Sequence, residues 1–195
     1  MRLEQLTLDT LTPDQRELYG VMARARSDGS APARIVDDRG VVQGPFTAML
    51  HYPALGAPLQ EVGAFLRFHG LLPPRARELV ILVAAAAWQS EFEWWAHVRI
   101  GKQAGLSDAE IAAVHEGASL MLNEAVEQAA LDTARAITTG SRDLDDDEYE
   151  RVHAALGDQM LIETLTLVGY YASHALQMRV FRVPLPEGAT PAFER

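Results

Sequence analysis

Four residues along one stretch of the chain have types and spacing that could do chemistry: Glu78, Ser90, Glu93 and His97. At about 100° per residue, Ser90, Glu93 and His97 fall within roughly 60° of one another on a helix face. Glu93 and His97 stand four positions apart and can share a hydrogen bond. Phe92, Trp94 and Trp95 flank Glu93. A carboxyl partly buried among aromatics is expected to titrate high, because desolvation disfavours its charged form. Such a group can serve as a general acid near neutrality. A paired histidine can act as base or orient a substrate carboxylate. Glu78 lies on the preceding helix and could face the pair across the helix–helix seam. Arg75 and Arg77 beside it could help His97 hold a carboxylate, and Ser90 and Trp94 are candidate substrate contacts.

Each of these residues also has a purely structural use. Ser90-x-x-Glu93 is a capping box, in which Ser90 caps a helix and Glu93 reaches back to its amide. His97 could be a core histidine bonded to Glu93, and Glu78 could pair with Arg75 or Arg77 on an exposed face. Trp94 and Trp95 point about 100° apart, so one belongs to the core and the other lines a pocket or a subunit contact. His51, His69 and His174 have no spacing that places them in a site. His174, on an apolar helix near Tyr170 and Tyr171, reads as a satisfied core histidine. Glu163 reads as an internal ion-pair partner, and Arg99 and Lys102 as a solvated face. Glu78, Glu93 and His97 offer three N/O donors but lack the His-Glu-x-x-His pattern, so neither a metal nor a cofactor is expected.

Composition narrows the function classes. The 195 residues include no cysteine, which excludes disulfides, thiolate metal sites and any sulfenic acid or catalytic disulfide. The net charge of −10, with acids gathered from Asp143 to Glu150, argues against a nucleic-acid or anionic-membrane partner. A hydrophobic share of 48% supplies a packed core. No apolar run approaches the roughly 20 residues of a membrane span. The start Met-Arg-Leu-Glu-Gln has no apolar stretch behind it, so the expected compartment is the cytoplasm.

The elements that must position the four residues are helical. Thr12-Pro13-Asp14-Gln15 is a capping box with proline at the first helical position, opening a helix to about Ala25. Residues 27–44 read as a loop with a short extended piece at Arg34-Ile35-Val36; Asp28-Gly29 gives no hairpin signal. Helices are expected at 45–50, at 54–69 with an uncertain start at Pro58, from Pro74 to about Trp88, and at 91–103. Ser107-Asp108-Ala109-Glu110 is a further capping box, opening a helix to His115. Others follow at 123–138 with a stop at Gly140, at 145–156 ending on Gly157, and at 158–181, closed by Val183-Pro184. β-Branched pairs never extend into alternating runs. The fold class is all-α.

The stretch Arg75-Ala76-Arg77-Glu78-Leu79, the alanine-rich helix, the acidic and aromatic run to His97, and Ala104-Gly105-Leu106-Ser107 together resemble the carboxymuconolactone decarboxylase / alkylhydroperoxidase D family. Val168-Gly169-Tyr170-Tyr171 through Phe181-Arg182-Val183-Pro184-Leu185 fits the family's last helix and exit. The resemblance is best from Phe46 to Leu185. It implies an alkylhydroperoxidase D-like helical domain at 45–185, preceded by a helical extension at 1–44 and followed by a tail at 186–195. In the peroxidase branch it implies Cys-x-x-Cys-x-x-x-His with a relay glutamate on the helix before. The relay falls on Glu78 and His97, and the two cysteine positions on Ser90 and Glu93. A serine hydroxyl replaces neither redox atom. The departure points to the decarboxylase branch: a lyase or related acid/base enzyme, acting on a small organic acid or lactone. A non-catalytic ligand-binding or assembly relative is the alternative, and a peroxidase the third reading. The resemblance also implies a homo-oligomer.

Overall fold

The computed structural model describes residues 1–24, 35–139 and 143–193. Eight helices form among them: α1 (Pro13–Arg24), α2 (Pro45–His51), α3 (Pro53–Phe68), α4 (Pro74–Ala87), α5 (Glu91–Gln103), α6 (Asp108–His115), α7 (Ala125–Thr138) and α8 (Asp146–Phe181). No strand forms among the described residues; Thr7 with Val41 and Val36 with Val42 make only isolated bridges. The fold is all-α, as the sequence pattern requires. Expectations placed on residues 25–34, including Ala25 and Asp28-Gly29, and on Gly140 lie outside the described residues.

The capping chemistry explains the boundaries. Thr12 and Gln15 close the first box, with the Thr12 amide donating to Gln15 Oε1 at 2.9 Å and the Gln15 amide to Thr12 Oγ1 at 3.3 Å. Ser107 and Glu110 close the second. A third, Asp145 with Glu148, opens α8. Gly157 sits inside α8 at φ 62° and ψ 176°, so the helix is kinked there into the two pieces read from the sequence. Pro58 falls within α3, which begins at Pro53.

α4 is the centre of the molecule. Its residues from Leu79 to Ala85 are all buried, which is why its sequence is apolar on every side rather than striped. It packs against α5, α6, α7 and α8. Arg75, near its N-terminus, pins it to its neighbours: the guanidinium meets Glu110 of α6 at 2.7 Å and Glu127 of α7 at 3.0 Å, and donates to the Gly105 carbonyl. A second apolar cluster joins Leu6, Leu18, Met22 and Ile35 to Phe46, Met49 and Leu50 of α2. Tyr170 of α8 packs against both clusters. The candidate site lies at this junction, where α2, α3, α4, α5 and α8 meet.

Candidate active site

Glu78, Glu93 and His97 converge. The helix α4 carries Glu78 into the interior at 2% exposure, and α5 brings in Glu93 at 4% and His97 at 6%. His97 Nδ1 donates to Glu78 Oε2 at 2.7 Å. His97 Nε2 lies 3.4 Å from Glu93 Oε2, the i, i+4 contact expected from spacing. Both ring nitrogens therefore meet carboxylate oxygens. Desolvation pulls the imidazole down, but the Glu78 charge and hydrogen bond, reinforced by Glu93, outweigh it and push His97 from 6.5 up to about 9. At neutral pH His97 is therefore protonated.

The surrounding side chains were only partly legible. Tyr171 stands edge-on to His97, ring centroids 5.0 Å apart. Burial, then the charges of Glu93 and Glu78, hold its phenol well above the ordinary tyrosine value, so it stays protonated. His174 of α8 meets the Tyr170 ring edge-on at 4.3 Å. Burial lowers its pKa against an opposing pull from Glu93, which keeps it neutral. The expectation of a satisfied core histidine fails, because neither ring nitrogen has a hydrogen-bond partner in the protein. Glu93 Oε1 is likewise buried and unpartnered. Glu93, His97 and His174 line a cavity of about 70 Å³. Glu78, Arg77 and His97 line one of about 30 Å³. Arg67 of α3 lines both, as do Tyr170 and Tyr171. Sequence reading missed Arg67, since no spacing along the chain links α3 to α5. Gly63 is required one turn earlier: a Cβ there would lie 2.2 Å from the Tyr170 hydroxyl.

The other expected residues divide between the site and the rest of the fold. Arg77 is at the site, 3.4 Å from Glu78 Oε1. Arg75 is not, because its guanidinium is committed to Glu110, Glu127 and Gly105. Trp94 belongs to the core, edge-on to His115 and Phe193. Its neighbour Trp95 lines a larger cavity near the N-terminal segment and carries Arg99 over its ring at 4.2 Å. Ser90 occupies the N-cap of α5 but makes no side-chain cap hydrogen bond, and Glu93 turns to His97 instead, so the capping box does not form. Glu163 is not an ion-pair partner. It accepts the amides of Leu71 at 2.6 Å and Leu72 at 3.2 Å, closing the turn before α4. Lys102 pairs with Asp108 at 2.5 Å. No group of three or more His, Asp or Glu among the described residues is placed to hold a metal ion.

This geometry can be set beside known proteins. The sequence profile of the Carboxymuconolactone decarboxylase family matches residues 53–136, the span that holds Glu78, Glu93 and His97. Over that span the chain resembles the family, and it carries no cysteine. No curated protein matches it. Among solved structures, the debrominase Bmp8 in complex with 2,3,4-tribromopyrrole superposes with a TM-score of 0.71 at 14% identity, covering 96% of this chain and 92% of that one. An alkylhydroperoxidase AhpD core protein from Ralstonia eutropha, described as peroxidase-related, gives 0.71 at 16%, covering 95% and 92%. An Agrobacterium tumefaciens protein of unknown function, with an AhpD designation, gives 0.63 at 20%, covering 74% and 99%. These similarities establish the alkylhydroperoxidase D-like all-α fold, and the third match spans less of this chain than the first two.

Proposed function

We propose that this carboxymuconolactone decarboxylase relative is an acid/base enzyme acting on a small organic acid or lactone, by decarboxylation or a related lyase, hydrolase or isomerase step. Catalytic roles go to Glu78, Glu93 and His97. The observation that carries the reading is His97, buried and protonated between two carboxylates, beside a cavity where Glu93 Oε1 and both ring nitrogens of His174 have no protein partner. Buried polar atoms are nearly always paired in folded proteins, so such a cluster belongs to chemistry more readily than to packing.

Decarboxylation fits these groups. Arg67 and the His97 cation stabilise a bound carboxylate. As the carbon–carbon bond breaks, carbon dioxide leaves and the electron pair moves onto the adjacent carbonyl as an enolate. The Nε2 proton of His97, held by Glu93 only at 3.4 Å, passes to that enolate. Glu78 keeps the imidazole oriented through Nδ1. Bmp8, a neighbour in fold, binds a small ring compound, which supports a small-molecule substrate here.

A second reading, a non-catalytic small-molecule-binding relative, is favoured by one fact: a cavity of about 70 Å³ is smaller than a lactone ring and its carboxylate. Thiol peroxidase activity has no chemical basis in a chain with no cysteine. The test is carbon dioxide release or lactone disappearance from lactone carboxylates, for wild type, His97→Ala and Glu93→Gln. Both variants are expected to lose at least about 100-fold while retaining helical circular dichroism. Full activity in both sinks the assignment.

A further inference from the structure

Apart from the cavities at the candidate active site, a cavity of about 540 Å³ opens between the start of α5 and the end of α8. Its polar lining is Gln89, Ser90, Glu91, Arg179 and Arg182, and its apolar walls include Phe92, Met178 and Phe193. We infer that this cavity is a binding site for an organic carboxylate with an apolar body, distinct from the Glu78–Glu93–His97 cluster and not dependent on its chemistry.

Several observations converge on it. Two cations face one opening in a chain whose net charge is −10. Arg179 uses Nη1 to hold the Trp88 carbonyl at 2.9 Å, which fixes its guanidinium on the rim. An arginine fork so placed is suited to a carboxylate. Ser90, 1% exposed, has a hydroxyl without a protein partner. The α5 end that it begins has no side-chain cap, so its first-turn amides retain their donors. Gln89 at φ 48° and Arg182 at φ 53° are the two non-glycine residues with positive φ among the described residues, and both line this cavity. Such conformations persist where surrounding structure holds them, and they gather at ligand sites. The one acid on the lining, Glu91, is engaged: its carboxylate accepts the amides of Ala192 at 2.7 Å and Phe193 at 3.2 Å. That contact seats the Phe193 ring as a wall. The charge selects an anion, and the rings and Met178 select an anion with an apolar body over a bare one.

Benzoate, acetate and inorganic phosphate are the probes, titrated into the full-length chain by calorimetry and by methyl NMR of methionine-labelled protein. Benzoate is expected to bind saturably and to shift the Met178 methyl resonance. It should bind at least about tenfold tighter than acetate or phosphate, because apolar burial adds to the charge contact. Arg182→Gln should weaken benzoate at least about tenfold, as loss of a charge-assisted hydrogen bond does. Ser90→Ala should weaken it less, and Lys102→Gln not at all. Arg179 also holds the Trp88 carbonyl, so Arg182→Gln and Ser90→Ala are the primary variants. Glu78→Gln and His97→Ala should bind benzoate as wild type does, which separates this site from the catalytic reading. The proposal is overturned if benzoate shows no saturable binding. It is overturned also if Arg182→Gln and Ser90→Ala leave binding unchanged, or if phosphate binds as tightly as benzoate.

Discussion

His97 carries two carboxylate contacts in the interior, and its stability consequences follow from them. Its pKa stands at about 9 when folded against 6.5 for an ordinary histidine. A raised pKa means that the folded state binds the proton more tightly than the unfolded state does. The stabilisation is therefore fully present below pH 6.5 and is lost as pH rises through about 9. Its size is on the order of 3 kcal/mol. Urea unfolding of wild type should show stability falling across that window, and His97→Gln should show a flatter profile there. His97→Ala leaves Glu78 and Glu93 buried without their shared cation and is expected to cost about 3–5 kcal/mol in the same assay. The sequence disclosed these three residues because two of them lie on one face of one helix and the third on the helix before. It did not disclose Arg67, Tyr171 or the unpartnered nitrogens of His174. Those come from α3 and α8, which reach the site through tertiary packing that no spacing records.

Helix boundaries were the most legible level, because caps and prolines are local chemistry. Thr12/Gln15 and Ser107/Glu110 behave as written in the sequence. Ser90/Glu93 has the same pattern and fails, since a buried His97 one turn on competes for the Glu93 carboxylate and wins. Arg75 misled in the opposite sense. Its position beside Glu78 suggested a substrate contact, yet it faces away from the site and ties α4 to α6 and α7. Arg75→Gln is therefore expected to lower the Tm by a few degrees, on the order of 1 kcal/mol for a half-exposed clamp, with KM unchanged in the lactone assay. At α3, Gly63→Ala forces the Tyr170 ring away from a clash at 2.2 Å. Differential scanning calorimetry should show a lower Tm, and near-ultraviolet circular dichroism a changed tyrosine signal.

At the scale of the whole molecule, α3, the turn after it and α8 leave apolar side chains in solvent. Phe65 is 57% exposed, Leu71 57% and Ile162 63%. Faces of this kind mark protein contacts. A homo-oligomer is proposed on that basis, and light scattering coupled to size exclusion should give a mass of at least twice 21.4 kDa. Phe65→Glu with Ile162→Glu should return the monomer, and a monomeric wild type would refute the proposal. No helix among the described residues is long and apolar enough to cross a membrane. The all-α class was readable because helical punctuation recurs along the chain. The junction that houses the site was not, because it joins apolar clusters built from residues more than a hundred positions apart, such as Met49 and Tyr170.

In the proposed reaction a protonated His97, held between Glu78 and Glu93, supplies the acid in a chain with no thiol. The most direct measurement is a ¹⁵N NMR titration of the His97 imidazole from pH 5 to 11, assigned by comparison with His97→Gln. Both ring nitrogens are expected to be protonated at pH 7, with a midpoint near 9. A neutral ring at pH 7, with a midpoint at or below 6.5, would contradict it.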